Sequence, residues 1–184
     1  MPEELRLTPR AVAFVGTEEG LVLEAYKDSK GIWTWAMGVA TTGGNDVLQF
    51  KDKPQSLEAA LKASLGLMQS RYLPAVAKAF AGHPLAENQI AAALSFQWRN
   101  GTILTAQWVK DFRAGDIALA RRDFMNWCDH GHEIPRCQRE CDLFFDAKWP
   151  VDLRVPIRKV AKPSYHPAGA VLTDILPALK GLLA

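Results

Sequence analysis

A change of pattern at Gly20 constrains this chain more than any other feature. Upstream, Thr8-Pro9 supplies a capping hydroxyl and a proline at the first helical position, where a missing N–H costs nothing. Val12, Phe14 and Val15 then form the apolar side of a helix. Gly20, which enters the left-handed conformation without penalty, stops it. From Leu21 to about Thr42 the sequence turns to Thr, Trp and β-branched residues punctuated by Gly31, Gly38, Gly43 and Gly44. That pattern predicts a small irregular antiparallel sheet near the N-terminus. A helix leading directly into short strands reads as α+β.

Beyond Pro54 the helical period returns. Helices are predicted from Ser56 to about Arg71, from Pro74 to Phe80 and from Glu87 to about Trp98. Three more follow, over Thr105–Arg113, Asp116–Trp127 and Pro135–Phe145. Ile90, Ala91, Leu94 and Phe96 mark the third of these as a strongly buried central helix. With 184 residues and 48% hydrophobic content the chain can bury a core, which excludes disorder as its main state. No run of about 18 apolar residues is present, and the first thirty residues lack the pattern of a secretion signal.

The character shifts again at Trp149. Pro150, Pro156, Pro163 and Pro167 argue for an extended linker without regular elements, and Pro177 interrupts the small apolar stretch Ala168–Ala184. The chain is therefore divided into a domain over residues 1–149 and a Pro-rich basic tail over residues 150–184. Residues 148–184 carry six basic side chains and two acids, a net of +4. The overall charge of +2 thus hides a body at −2. Three readings of the tail stay open: a loosely docked linker, attraction to an anionic envelope surface, and packing against the domain or a partner. Cys128, Cys137 and Cys141 are an odd number and do not describe a disulfide framework, and a bridge between Cys137 and Cys141 within one helix is awkward. Together with His130 and His132 they resemble a zinc site only in composition, because the spacing fits no known finger. Scattered thiols without metal are expected.

The chemistry is concentrated in Glu19-Gly20-Leu21-Val22-Leu23-Glu24-Ala25-Tyr26-Lys27-Asp28-Ser29-Lys30-Gly31-Ile32-Trp33-Thr34. This segment closely resembles the signature of the phage-type lysozymes of glycoside hydrolase family 24: Glu-Gly, then Ala-Tyr-x-Asp, then Gly-x-x-Thr. The resemblance places the family's catalytic glutamate, aspartate and threonine on Glu19, Asp28 and Thr34. It extends through Ala92–Gly101 and Ile134–Phe144, covers about residues 7–149, and has no counterpart for the tail. It implies a lysozyme-like α+β fold with a helical lobe, no cofactor and no metal.

Cleaving a glycosidic bond requires a proton for the leaving oxygen and a second carboxylate near the developing cationic centre. Glu19, in the last turn of a helix whose dipole disfavours a carboxylate, suits the acid, because dipole and desolvation both favour its protonated form. Asp28, in the polar sheet region, is expected to stay ionised as base or electrostatic stabiliser. Thr34 holds water or substrate through its hydroxyl. By resemblance, Arg136 is the candidate cation opposing Glu19, and Trp33, Arg99 and Arg136 are candidate substrate contacts. Trp35, Trp98, Trp108 and Trp127 also present sugar-stacking faces, although most tryptophans should be core. The resemblance implies inversion for the family's best-known members; carboxylate separation decides that stereochemistry.

The chain departs from the family in places. After the threonine the family usually continues Ile-Gly-x-Gly, whereas Thr34-Trp35-Ala36-Met37-Gly38-Val39 stands here, so Ala36 adds a methyl where glycine's freedom is expected. The family often has an asparagine after the position of Phe96, near Arg99, and polar substrate contacts there are expected to differ. The expected substrate is the β-1,4 linkage between N-acetylmuramic acid and N-acetylglucosamine in peptidoglycan. The expected setting is a monomeric phage or prophage endolysin that gathers in the cytoplasm and reaches the wall through a holin-like pore. Two alternatives stand beside it: a non-catalytic peptidoglycan-binding or regulatory module retaining the fold, and a secreted antibacterial or interaction protein.

Overall fold

The computed structural model describes residues 5–128 and 133–184, so the expectation for His130 and His132 lies outside the described residues. The chain forms two compact units, each drawing on separate stretches of sequence. One comprises Met1–Val15 and Gln69–Asp152, the other Gly16–Met68 and Leu153–Ala184.

Helix α1 (Pro9–Glu19) forms as its punctuation predicts. The Thr8 hydroxyl accepts from the Ala11 N–H at 3.1 Å. Gly20, at φ +73°, donates its N–H to the Gly16 carbonyl and ends the helix. The chain then enters β1 (Leu21–Lys27), turns back through β2 (Trp33–Ala36) and closes with the short β3 (Val39–Ala40), each antiparallel to the one before. Helix α2 (Leu57–Leu67) is capped by Ser56, whose hydroxyl accepts from Ala59 N–H at 3.1 Å. A π-helical turn, Met68–Tyr72, leads into α3 (Leu73–Ala79), where the sequence pattern predicts one longer helix to about Arg71.

Helices α4 (Glu87–Asn100), α5 (Gln107–Arg113), α6 (Ile117–Met125) and α7 (Ile134–Asp146) follow the predicted order. All residues of α4 from Ile90 to Gln97 are buried, because its neighbours cover more than one face. An aromatic cluster of Phe80, Phe96, Trp108, Phe124 and Phe144 fills this unit, with centroid separations of 4.8–5.8 Å between Trp108 and the other four. Trp108 is therefore core. Cys128 and Cys137 are joined by a disulfide with Cα atoms 5.9 Å apart, a pairing the spacing alone did not suggest. Cys141 is a buried free thiol, its pKa pushed up to about 11 chiefly by burial.

The C-terminal segment corrects the expectation of an extended linker. It forms β4 (Val155–Ala161), β5 (His166–Thr173) and α8 (Leu176–Leu182), and the sheet of the second unit has five strands in the order β3-β2-β1-β4-β5. The sheet is mixed, not purely antiparallel, because β4 runs parallel to β1 with Leu21 opposite Ile157 and Val22 opposite Arg158. Four of the five prolines sit near a strand start, in a turn or in the first turn of a helix. Pro156 stands one residue into β4, Pro167 lies near the start of the edge strand β5, Pro163 falls in the turn between them, and Pro177 occupies the first turn of α8. Val155, Ile175 and Leu179 are fully buried, and α8 packs on α2, which in turn covers β1 and β2.

Candidate active site

Glu19 is the last residue of α1 and is half-buried. The segment that follows it turns through Gly20 straight into β1, which carries the chain to Asp28 at the far end of the strand. Asp28 builds the β1–β2 turn. Its Oδ1 accepts from the N–H groups of Lys30 and Ile32, both at 2.8 Å, and its carbonyl accepts from Gly31 N–H at 3.0 Å. Gly31, at φ +76°, supplies the left-handed residue this turn requires. Asp28 Oδ2 has no hydrogen-bond partner among the described residues, so the turn fixes one carboxylate oxygen and not the other.

Thr34 is buried, 3% exposed, and its hydroxyl donates to the Ile32 carbonyl at 3.1 Å. Ile32 thus links the two polar residues, holding Asp28 by its N–H and Thr34 by its C=O. Across the ladder Thr34 stands opposite Tyr26, so the two side chains share a face of the hairpin. Burial raises the Tyr26 pKa above its ordinary value, and the charges of Glu19 and then Asp28 push it further the same way, with Arg158 opposing. Both acids therefore act electrostatically on one phenol. Tyr26 is legible in the motif, but nothing in the spacing assigns it this central position.

Ala36 has φ +54°, the left-handed conformation that makes the departure from glycine costly. It is accommodated in a buried position opposite Val22. Trp35 is core, stacked on Phe50 at 3.9 Å with its indole N–H donating to the Leu23 carbonyl. Trp33 is half-exposed and pairs with Lys27 across the ladder. Successive residues alternate sides, so Trp33 lies on the face of the hairpin opposite to Thr34 and Tyr26.

Arg99 and Arg136 belong to the other unit, where both hold Glu140. This carboxylate is completely buried: Oε1 accepts from Ser95 Oγ at 2.6 Å and Arg136 Nε at 2.9 Å, and Oε2 from Arg99 at 3.0 Å. Arg99 also donates to Glu133 and to the Trp127 carbonyl. With 7% of its side chain exposed, Arg99 has little surface for the sugar contact expected of it, and its described bonds are those of a helix-packing residue. Arg136, with 15% exposed, also approaches Ser95 Oγ at 3.3 Å.

Comparison with known proteins agrees with these observations. The family model described as phage lysozyme matches residues 16–139. No curated protein matches the chain. Among solved structures, the endolysin from Escherichia coli O157:H7 phage FAHEc1 is similar at 22% identity and TM-score 0.64, over 82% of this chain and 99% of that one. The muramidase domain of SpmX from Asticaccaulis excentricus is similar at 19% identity and TM-score 0.59, over 78% of this chain and 98% of that one. At these identities the likeness is one of fold.

Proposed function

Because the chain belongs to the phage lysozyme family, a family of muramidases, we propose that it hydrolyses the β-1,4 bond between N-acetylmuramic acid and N-acetylglucosamine in peptidoglycan, with Glu19 as proton donor. The observation that carries this reading is that Glu19, Asp28 and Thr34 all fall within the residues the phage lysozyme model matches, with Asp28 and Thr34 tied to one hairpin through Ile32. Glu19 is the half-buried last residue of α1, so the helix end delivers its carboxyl to the start of the sheet where a proton donor is required. Asp28 is oriented by two N–H donors through one oxygen, so its second oxygen can address water or the developing positive charge. Thr34, two residues beyond the carbonyl that holds it, supplies a hydroxyl on the same hairpin for positioning that water.

In this reading the protein is a phage or prophage endolysin that lyses its host, and a pore made by another protein admits it to the wall. No helix among the described residues is long and apolar enough to cross a membrane, which is compatible with that route. A module that only binds glycan has no use for the complete set of Glu19, Asp28 and Thr34, and no observation favours it.

The test compares wild type with Glu19→Gln on purified peptidoglycan, following new reducing ends. Loss of a general acid should lower the rate by about 10²–10⁴-fold. Equal rates would remove Glu19 from the mechanism, and anhydro-muramyl products would make the enzyme a lytic transglycosylase. Asp28→Asn separates charge from architecture, because the amide oxygen still accepts both turn N–H groups. A variant with this change that folds normally yet is inactive supports a role for the carboxylate beyond closing the turn.

A further inference from the structure

The face of the β1–β2 hairpin turned away from Thr34 carries a second cluster that the catalytic reading does not use. Trp33 meets Tyr165 edge to face, with ring centroids 5.1 Å apart. Tyr165 comes from the β4–β5 turn, outside the residues the family model matches, and is half-exposed at φ +62°, a conformation side chains other than glycine adopt only when their surroundings enforce it. The enforcement is visible. Lys27 N–H donates to the Tyr165 carbonyl at 2.7 Å, the His166 ring donates back to the Lys27 carbonyl at 3.0 Å, and the Tyr165 hydroxyl donates to Asp52 at 3.0 Å.

Three ammonium groups lie over these rings, one of them Lys162 at 5.9 Å from the Tyr165 centroid. Lys51 Nζ is 4.9 Å from the Tyr165 centroid and 5.6 Å from that of Trp33, and Lys27 Nζ is 5.4 Å from Trp33. The two neighbouring acids are already engaged by the first of these: Lys162 pairs with Asp52 at 2.5 Å and with Glu24 at 3.3 Å. Neither Lys27 nor Lys51 has a carboxylate within 4 Å among the described residues. An aromatic pair beside two lysines that make no ion pair among the described residues suits a ligand that offers both an apolar ring or methyl face and carboxylates. Polymeric peptidoglycan has that chemistry, since its sugars present apolar faces and its lactyl-linked peptides end in free carboxylates.

We propose that Lys27, Trp33, Lys51 and Tyr165 form an exosite that binds a carboxylate-bearing peptidoglycan strand on the side of the hairpin away from the catalytic residues. The exosite holds the enzyme on the polymer while the opposite face works, and the C-terminal hairpin exists in part to place Tyr165. The inference rests on the muramidase reading for the identity of its ligand, but its test measures binding and requires no cleavage.

Cosedimentation with insoluble peptidoglycan sacculi is measured in the Glu19→Gln background, with and without the double change Lys27→Gln/Lys51→Gln. The double change should weaken binding about ten-fold. Lys27→Arg/Lys51→Arg should restore it, and sacculi whose carboxylates have been converted to amides should bind both proteins equally weakly. Unchanged binding by the Gln variant, or equal loss on native and amidated sacculi, overturns the exosite. Loss confined to phosphatidylglycerol vesicles, with sacculus binding intact, overturns it in favour of a lipid surface. Circular dichroism of each variant identifies any that fails to fold, in which case Lys51→Gln alone, at an exposed position, reads the same comparison. A wild-type protein that cleaves nothing but binds sacculi through these lysines would refute the muramidase reading and leave the exosite standing.

Discussion

Leu21 and Ile157 face each other in a parallel ladder, which couples the strand leaving Glu19 directly to the C-terminal segment. The coupling is reinforced at the end of α1. A methyl group built on Gly16 would lie 2.7 Å from Val155 Cγ2 and 3.1 Å from Met37 Cε, so helix, hairpin and β4 meet there without spare room.

Removing residues 153–184 should therefore destabilise the protein instead of trimming a dispensable tail. Val155, Ile175 and Leu179 each contribute about 1.5–3 kcal/mol through burial. The truncated chain should melt at least about 10 °C lower, or fail to fold, in a thermal scan followed by circular dichroism. An unchanged midpoint would show that β4 and β5 are not part of the folded sheet.

Ala36, at φ +54° and 1% exposed, is tuned between two penalties. Ala36→Gly relieves the left-handed strain but adds unfolded-chain entropy, so stability should stay within about 1 kcal/mol. Ala36→Val places a β-branched side chain in that conformation at a buried position and should cost more than about 2 kcal/mol. Urea unfolding of the three proteins checks the order; a valine variant as stable as the parent would contradict the backbone geometry.

Glu140 and Glu133 both contact Arg99, but only Glu140 is buried. Glu140→Gln leaves Arg99 and Arg136 facing an uncharged amide in the interior and should cost about 3–5 kcal/mol. Glu133→Gln, at a carboxylate 42% exposed, should cost less than about 1 kcal/mol. Similar costs for the two changes would mean that the buried network carries no more of the stability than a surface pair.

Tyr26 should make stability fall in alkali. Its pKa is raised in the folded state, first by burial and then by Glu19 and Asp28, so above the ordinary value of 10.0 unfolding releases a proton that folding retains. The stabilising contribution is complete below about pH 10 and declines as pH rises from there towards the folded pKa. The unfolding midpoint, measured between about pH 9 and about pH 11.5, should drop more steeply for wild type than for Tyr26→Phe. Parallel slopes would place the phenol in water-like surroundings.

The local elements and the motif were legible along the chain because their signals are short-range. Thr8-Pro9 and Gly20 mark both ends of α1 through capping and backbone freedom. Glu19, Asp28 and Thr34 belong to one continuous stretch whose spacing needs no long-range contact to be read. The prolines after Trp149 misled because a proline's cost depends on which N–H groups the sheet uses, and that is settled only when β4 lies beside β1. In the same way Arg99 looked available for substrate until Glu140, 41 residues away, buried its charge against it. What the sequence by itself determined was the order of the elements over residues 8–146 and the family motif that carries the candidate residues Glu19, Asp28 and Thr34. Only the tertiary structure decided that Trp33 turns away from Thr34 and meets Tyr165, because side-chain alternation along a strand and the docking of a distant hairpin together set which groups share a face.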